Sequence, residues 1–174
     1  MTTLKEEWAL YTEKASRTMG KHLSKEERIE NCIMGLSGEI GEIAETFKNY
    51  DFDKMVFEFG DLFWYISQLA KAISSKMVNA DNPNYLHRNY PVTCILDLTI
   101  HISKIMDHLK KHKWHGDWLD YHLIDDHLYI TFSLAMAFVS GVMILNPVNV
   151  WESNIQKLEK RWPGKFGEKN EQLN

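Results

Sequence analysis

Apolar residues recur along this chain at intervals of three and four, and no convincing run alternates apolar with polar. That period belongs to helices with one buried face. Leu4, Trp8, Tyr11 and Ala15 form the first stripe, opened by a capping box of Thr3 with Glu6 and closed by Gly20. A second capping box, Ser24 with Glu27, opens a helix running to about Lys48. Its stripe is Ile29, Ile33, Leu36, Ile40, Ile43 and Phe47, stepping by four and three like a coiled-coil seam. Beyond a polar turn at Asn49-Tyr50-Asp51, Met55, Phe59, Leu62, Ile66, Leu69 and Ile73 repeat the rhythm. Asn79 to Tyr85 is the one clear break, rich in Asn and Pro. Further helices are predicted over about Val92–Lys113 and Asp120–Leu145. Asn146-Pro147 then gives a cap with a first-turn proline, and the last helix should end at Trp162-Pro163-Gly164 before a polar tail.

The pattern predicts an all-α fold, a helical bundle built on an antiparallel helical hairpin. Setting Leu36 over Leu98 places Ile40 on Ile102, Ile43 on Ile105, Phe47 on Leu109 and Phe52 on Trp114. With three extra residues in the second turn, Asp61 falls on Asp126. A degenerate second hairpin, 91–145, would then complete a four-helix core with the acidic hairpin, 25–78. With a C-terminal helix at 147–162, the whole of 1–174 reads as a single domain.

Charge and composition narrow the function. A net charge of −4 across 174 residues gives no broad attraction to nucleic acid, so an anion must be held by a local cluster or through metal. Cys32 and Cys94 lie in apolar helical patterns and read as reduced, buried thiols. The opening MTTLKEEWALYTEK is charged and amphipathic, unlike a signal peptide, and a cytoplasmic protein is expected. Leu128 to Leu145 carries no charge and reaches the lower edge of transmembrane length. It contains Thr131, Ser133, Ser140 and Gly141 and lacks close Lys/Arg anchors, so a helix buried in protein is expected and no membrane partner.

Against this plain background the acids of the first hairpin stand out. Glu39 and Glu42 lie three apart on one arm, and Glu58 and Asp61 three apart on the other. On a helix such pairs point the same way, and both border the apolar seam. Packed antiparallel, the arms bring four carboxylates together, which repel unless a cation sits between them. A divalent ion with oxygen ligands is the simplest answer, and Mg²⁺, with Mn²⁺ as a substitute, suits carboxylates, water and phosphate. Gly35, Gly38 and Gly41 each cost about 1 kcal/mol in a helix interior relative to alanine. They make sense where a ligand or partner backbone approaches that face.

At these residues the chain resembles the MazG-like nucleoside triphosphate pyrophosphohydrolases, the all-α group that includes the dimeric dUTPases and dCTPases. Glu39 and Glu42 fill the first half of the family's ExxE…ExxD signature, and Glu58 and Asp61 the second. NIQKLEKRWPGKF, Asn154 to Phe166, is similar to its C-terminal element. The resemblance implies Mg²⁺-dependent cleavage of an NTP or dNTP between the α and β phosphates, giving NMP and pyrophosphate. It implies Glu39, Glu42, Glu58 and Asp61 as metal ligands and a homodimer or homotetramer. Asn154, Lys157 and Arg161 share a helical face suited to holding phosphates. Lys48, at the end of the acidic helix, is a further candidate. Glu39 is the first choice of general base, and Trp8, Trp64 and Tyr65 are candidates to stack on the base.

Two rivals remain open on the residues alone. The six histidines from His101 to His127 suggest a transition-metal site or a His-Asp phosphohydrolase, but HGDW and IDDH lack an adjacent His-Asp pair, and surface histidines are the plainer reading. A non-enzymatic helical module with merely solvated acids would show no metal dependence and would tolerate loss of Glu39 or Glu58.

Overall fold

The computed structural model describes residues 2–76, 78 and 90–163. Among them are α1 (Leu4–Ala15), α2 (Lys25–Lys48), α3 (Phe52–Ile73), α4 (Pro91–His115), α5 (Tyr121–Ala137) and α6 (Pro147–Arg161), with no strand. The expected break at Asn79–Tyr85 and the residues from Gly164 onward lie outside the described residues. The chain is all-α, as the periodicity predicts.

Local chemistry sets the helix ends. Thr3 and Glu6 form the capping box of α1, and Ser24 and Glu27 that of α2, each with backbone and side chain satisfied reciprocally. Asp51 caps α3 by accepting from the Lys54 amide at 3.0 Å. Gly116, at φ 79°, supplies the left-handed turn that stops α4. The α1 boundary differs from expectation. The helix stops at Ala15, and Ser16–Thr18 tighten into a 3₁₀ turn before Gly20 is reached. The Ser16 hydroxyl donates to the Thr12 carbonyl and that of Thr18 to Ala15, competing with regular helical bonding. Helix α5 is also shorter than expected. It passes into a π-helical turn, Phe138–Val142, and the chain then reverses through Ile144, at φ 56°, into the Asn146 cap.

The α2–α3 pair packs beside the α4–α5 pair, with α2 against α4 and α3 against α5, closing a four-helix core. Helix α6 lies on α3, and α1 packs on both. Ile29, Ile33, Leu36 and Ile43 from α2 meet Phe59, Leu62 and Ile66 from α3, all fully buried. Trp8 stands 4.7 Å from Phe132 and 5.0 Å from Trp151, ring centre to ring centre. This aromatic cluster commits Trp8 to the core, which removes it as a base-stacking candidate. Cys32 and Cys94 are buried and in no disulfide, and burial pushes the Cys32 thiol up to about 12.

Among the described residues one helix, Tyr121–Val142, is long and apolar enough to cross a membrane. On it Leu128, Phe132 and Phe138 are fully buried, and Phe138 stacks on Phe59 at 5.0 Å.

The glycines of α2 divide sharply. A methyl group at Gly35 would stand 2.2 Å from the Tyr65 ring, whereas Gly38 and Gly41 open onto empty space. Close packing of Tyr65 therefore accounts for Gly35. Gly35→Ala should destabilise the protein by about 1–3 kcal/mol through overpacking. Gly38→Ala and Gly41→Ala should each stabilise by about 0.5–1 kcal/mol through helix propensity. Urea unfolding midpoints of the three variants check the contrast.

Candidate active site

The antiparallel turn at Asn49–Asp51 brings the acidic stretch of α2 alongside that of α3. Glu39, Glu58 and Asp61 each offer a carboxylate oxygen, and the three oxygens lie within 4.8 Å of one another. Three of the four expected acids therefore converge. Glu42, one turn along α2, is exposed and stands outside that close group. It is still near enough to push the carboxyls of both Glu39 and Glu58 upward.

Compensation of this charge is uneven. Lys157, on α6, pairs with Asp61, and Lys54, one turn before Glu58 on α3, pairs with it at 3.6 Å. Glu39 receives no such partner among the described residues. Its Oε2 is buried without a hydrogen bond. Burial first, then the charges of Asp61, Glu42 and Glu58, raise its carboxyl to about 8, against a counteracting pull from Lys157. Glu58 is also raised, mainly by burial and then by Glu42, with Lys54 opposing. A cluster of hard oxygen donors with an unsatisfied buried oxygen suits a divalent cation, because such an ion supplies the missing charge and the missing contact together.

Asp61 is held from behind. Asn154, 2% exposed, donates from Nδ2 to Asp61 Oδ1 at 2.8 Å, and the Tyr11 hydroxyl stands 2.9 Å from Asn154 Oδ1. A methyl group at Gly60 would come within 3.0 Å of Asn154 Cβ, so the glycine admits α6 at this point. The sequence places Asn154 among the phosphate contacts; the geometry turns it inward to orient a carboxylate. Tyr11 reads from its stripe as an ordinary core residue, and no local signal marks its hydroxyl. Burial, and then Asp61, push that hydroxyl well above its usual range, so it remains a donor.

Beside the acids lies a cavity of about 340 Å³ lined by Glu39, Asp61, Trp64, Tyr65, Lys157 and Arg161, among others. Trp64 Nε1 donates to Thr18 Oγ1 at 2.9 Å and Ala15 O at 3.2 Å, and its ring meets Tyr65 edge-on at 4.8 Å. Two aromatic faces are thus fixed next to the carboxylates. Arg161 is exposed at the cavity edge, with its guanidinium 5.7 Å from the Trp162 ring centre. Lys48 is exposed in the last turn of α2. It lies about 9 Å of helix axis beyond Glu42 and is not among the cavity residues.

Residues 27–80 match the MazG nucleotide pyrophosphohydrolase domain. Over these residues the chain is similar to that domain. The MazG-like segment holds all four acids of the sequence motif, and α4 to α6 fall outside it. The match supports a hydrolase acting on nucleotides in general terms. Comparison with curated proteins gave no match, and comparison with solved structures gave none.

The histidines find other employment. His108 Nε2 accepts from the Asp120 amide at 2.8 Å, and His112 Nδ1 donates to the Asp117 carbonyl at 2.7 Å, so both tie down the α4–α5 connection. His101 and His127 meet through their Nδ1 atoms at 3.0 Å. Among the described residues, no group of three potential metal ligands includes a histidine.

The raised Glu39 carboxyl fixes a sign for stability. The folded protein keeps a proton there that the unfolded chain, with an ordinary value near 4.5, releases. This contribution is present at low pH and is lost as pH rises towards about 8. In EDTA, the urea midpoint of the protein should fall between about pH 5.5 and 8, and Glu39→Gln should flatten that fall. An equal fall in both proteins would show that Glu39 is not the group responsible.

Proposed function

We propose that this protein is a Mg²⁺-dependent nucleoside triphosphate pyrophosphohydrolase, cleaving an NTP or dNTP between the α and β phosphates to release NMP and pyrophosphate. The observation that carries this reading is the convergence of Glu39, Glu58 and Asp61 with a buried, unpartnered Glu39 oxygen. The MazG match over the same hairpin supports it.

In this reading Glu39, Glu58 and Asp61 hold the divalent ion, with Glu42 at the mouth as a fourth ligand and Mn²⁺ able to replace Mg²⁺. Bound there, the ion would neutralise polyphosphate charge and make water more acidic. Glu39, whose carboxylate lies within the cluster, is the first choice to accept the proton of the attacking water. Asn154 and Tyr11 keep Asp61 in orientation. Lys157 and Arg161 border the same cavity and contact the phosphates. Trp64 and Tyr65 offer faces for the base. Self-association as a dimer or tetramer belongs to the same reading, because α4 leaves Val92, Leu96 and Ile100 exposed on successive turns.

Pyrophosphate release from a panel of standard and modified NTPs and dNTPs tests the proposal. Release with Mg²⁺, none with EDTA, and a loss of about a hundredfold or more in Glu39→Gln and Glu58→Gln are expected. Turnover unaffected by EDTA, or a folded, metal-loaded protein inert on every substrate, would overturn it.

A further inference from the structure

A second cavity lies where the first turns of α2 and the last turns of α3 meet the segment that follows α1. It measures about 490 Å³ and is lined by Ser16, Met19, Lys21, Leu23, Lys25, Arg28, Gln68, Lys71 and Ala72. Lys21, Lys25, Arg28 and Lys71 give it four cations, and no carboxylate is among its lining residues. In a chain of net charge −4 such a concentration is a local reversal of sign. Along α2 from Glu39 to Arg28, and along α3 from Asp61 to Lys71, the offset is about 15 Å of helix axis.

None of the four cations forms an ion pair among the described residues. Arg28 is braced instead by neutral acceptors, with Nε donating to the Leu23 carbonyl at 3.0 Å. Lys71 Nζ donates to Ser16 Oγ at 2.9 Å, and Lys25 lies 5.0 Å from the Tyr121 ring centre. These contacts position Arg28, Lys71 and Lys25 without neutralising them. Glu27, the acid nearest in sequence to Arg28, is engaged in the Ser24 capping box. Like charges gathered in one concave site repel, and the arrangement is relieved by an anion with several oxygens.

We propose that the cleft of Lys21, Lys25, Arg28 and Lys71 is a second binding site, for a phosphate-bearing anion. It is independent of the acidic cluster and of the reaction proposed there. Two sources share this chemistry: a free polyphosphate such as pyrophosphate, and the phosphates of a nucleotide.

Calorimetric titration of the full chain with inorganic pyrophosphate, at low ionic strength and in EDTA, tests the site. Saturable binding is expected, weakened about tenfold or more in Lys25→Gln/Lys71→Gln and by added salt, and unchanged in Lys14→Gln, which lies outside the cleft. Melting curves establish that the double variant is folded, and Lys21→Gln provides a second, more conservative reading of the same loss. A parallel titration with a nucleoside diphosphate separates the sources. Tighter binding than pyrophosphate, lost in the same variants, identifies a nucleotide; equal binding, lost likewise, identifies a free polyphosphate. No saturable binding, or binding that the cleft variants leave unchanged, would overturn the proposal. Because metal and turnover are excluded, the result stands apart from any failure of the pyrophosphohydrolase reading.

Discussion

Repulsion among Glu39, Glu58 and Asp61 is the constraint around which the neighbouring helices are arranged. Each acid lies beside an apolar seam that burial drives together, so the hydrophobic packing of α2 on α3 forces the charges into proximity. Lys54 and Lys157 offset part of the cost from two different helices. Glu39 has no ion pair of its own among the described residues, and it keeps a buried, unbonded oxygen and a carboxyl that favours its proton. A core carrying such a defect is less stable than an apolar one would be, and the proposed divalent ion would supply the charge and contact that are missing.

The division of labour between the two hairpins follows from the same point. Helices α4 and α5 supply apolar surface that closes the four-helix core, and His101 of α4 meets His127 of α5 across it. Polar groups there satisfy one another across the helix interface. The second hairpin can therefore act as a stable wall, leaving the first to hold the strained charges.

Much of this was legible in the residues. Both capping boxes, the seams of α2 and α3, the Asn49–Asp51 turn and the Asn146-Pro147 start of α6 depend on short-range chemistry that spacing exposes. The acids were visible as two pairs. A spacing of three leaves open which member points inward, and only the packing separates Glu39 from exposed Glu42. Asn154 looked like a phosphate contact because it shares a face with Lys157. It is buried instead because Gly60 lets α6 approach, a relation between residues far apart in the chain. Tyr11 was hidden for the same reason. The glycines of α2 looked alike in sequence and differ only in what stands opposite: a tyrosine ring for Gly35, open space for Gly38 and Gly41.

The contact from Tyr11 through Asn154 to Asp61 joins α1, α6 and α3 at one carboxylate. It ties the outermost helices to the acidic cluster, although neither contributes a carboxylate to it. By thermodynamic linkage, whatever binds at Asp61 also opposes the detachment of α1 and α6, and whatever loosens those helices weakens the grip on Asp61. The same two helices bring Trp8, Tyr11 and Trp151 into the core, so loosening either would reach Asp61 and the packing together.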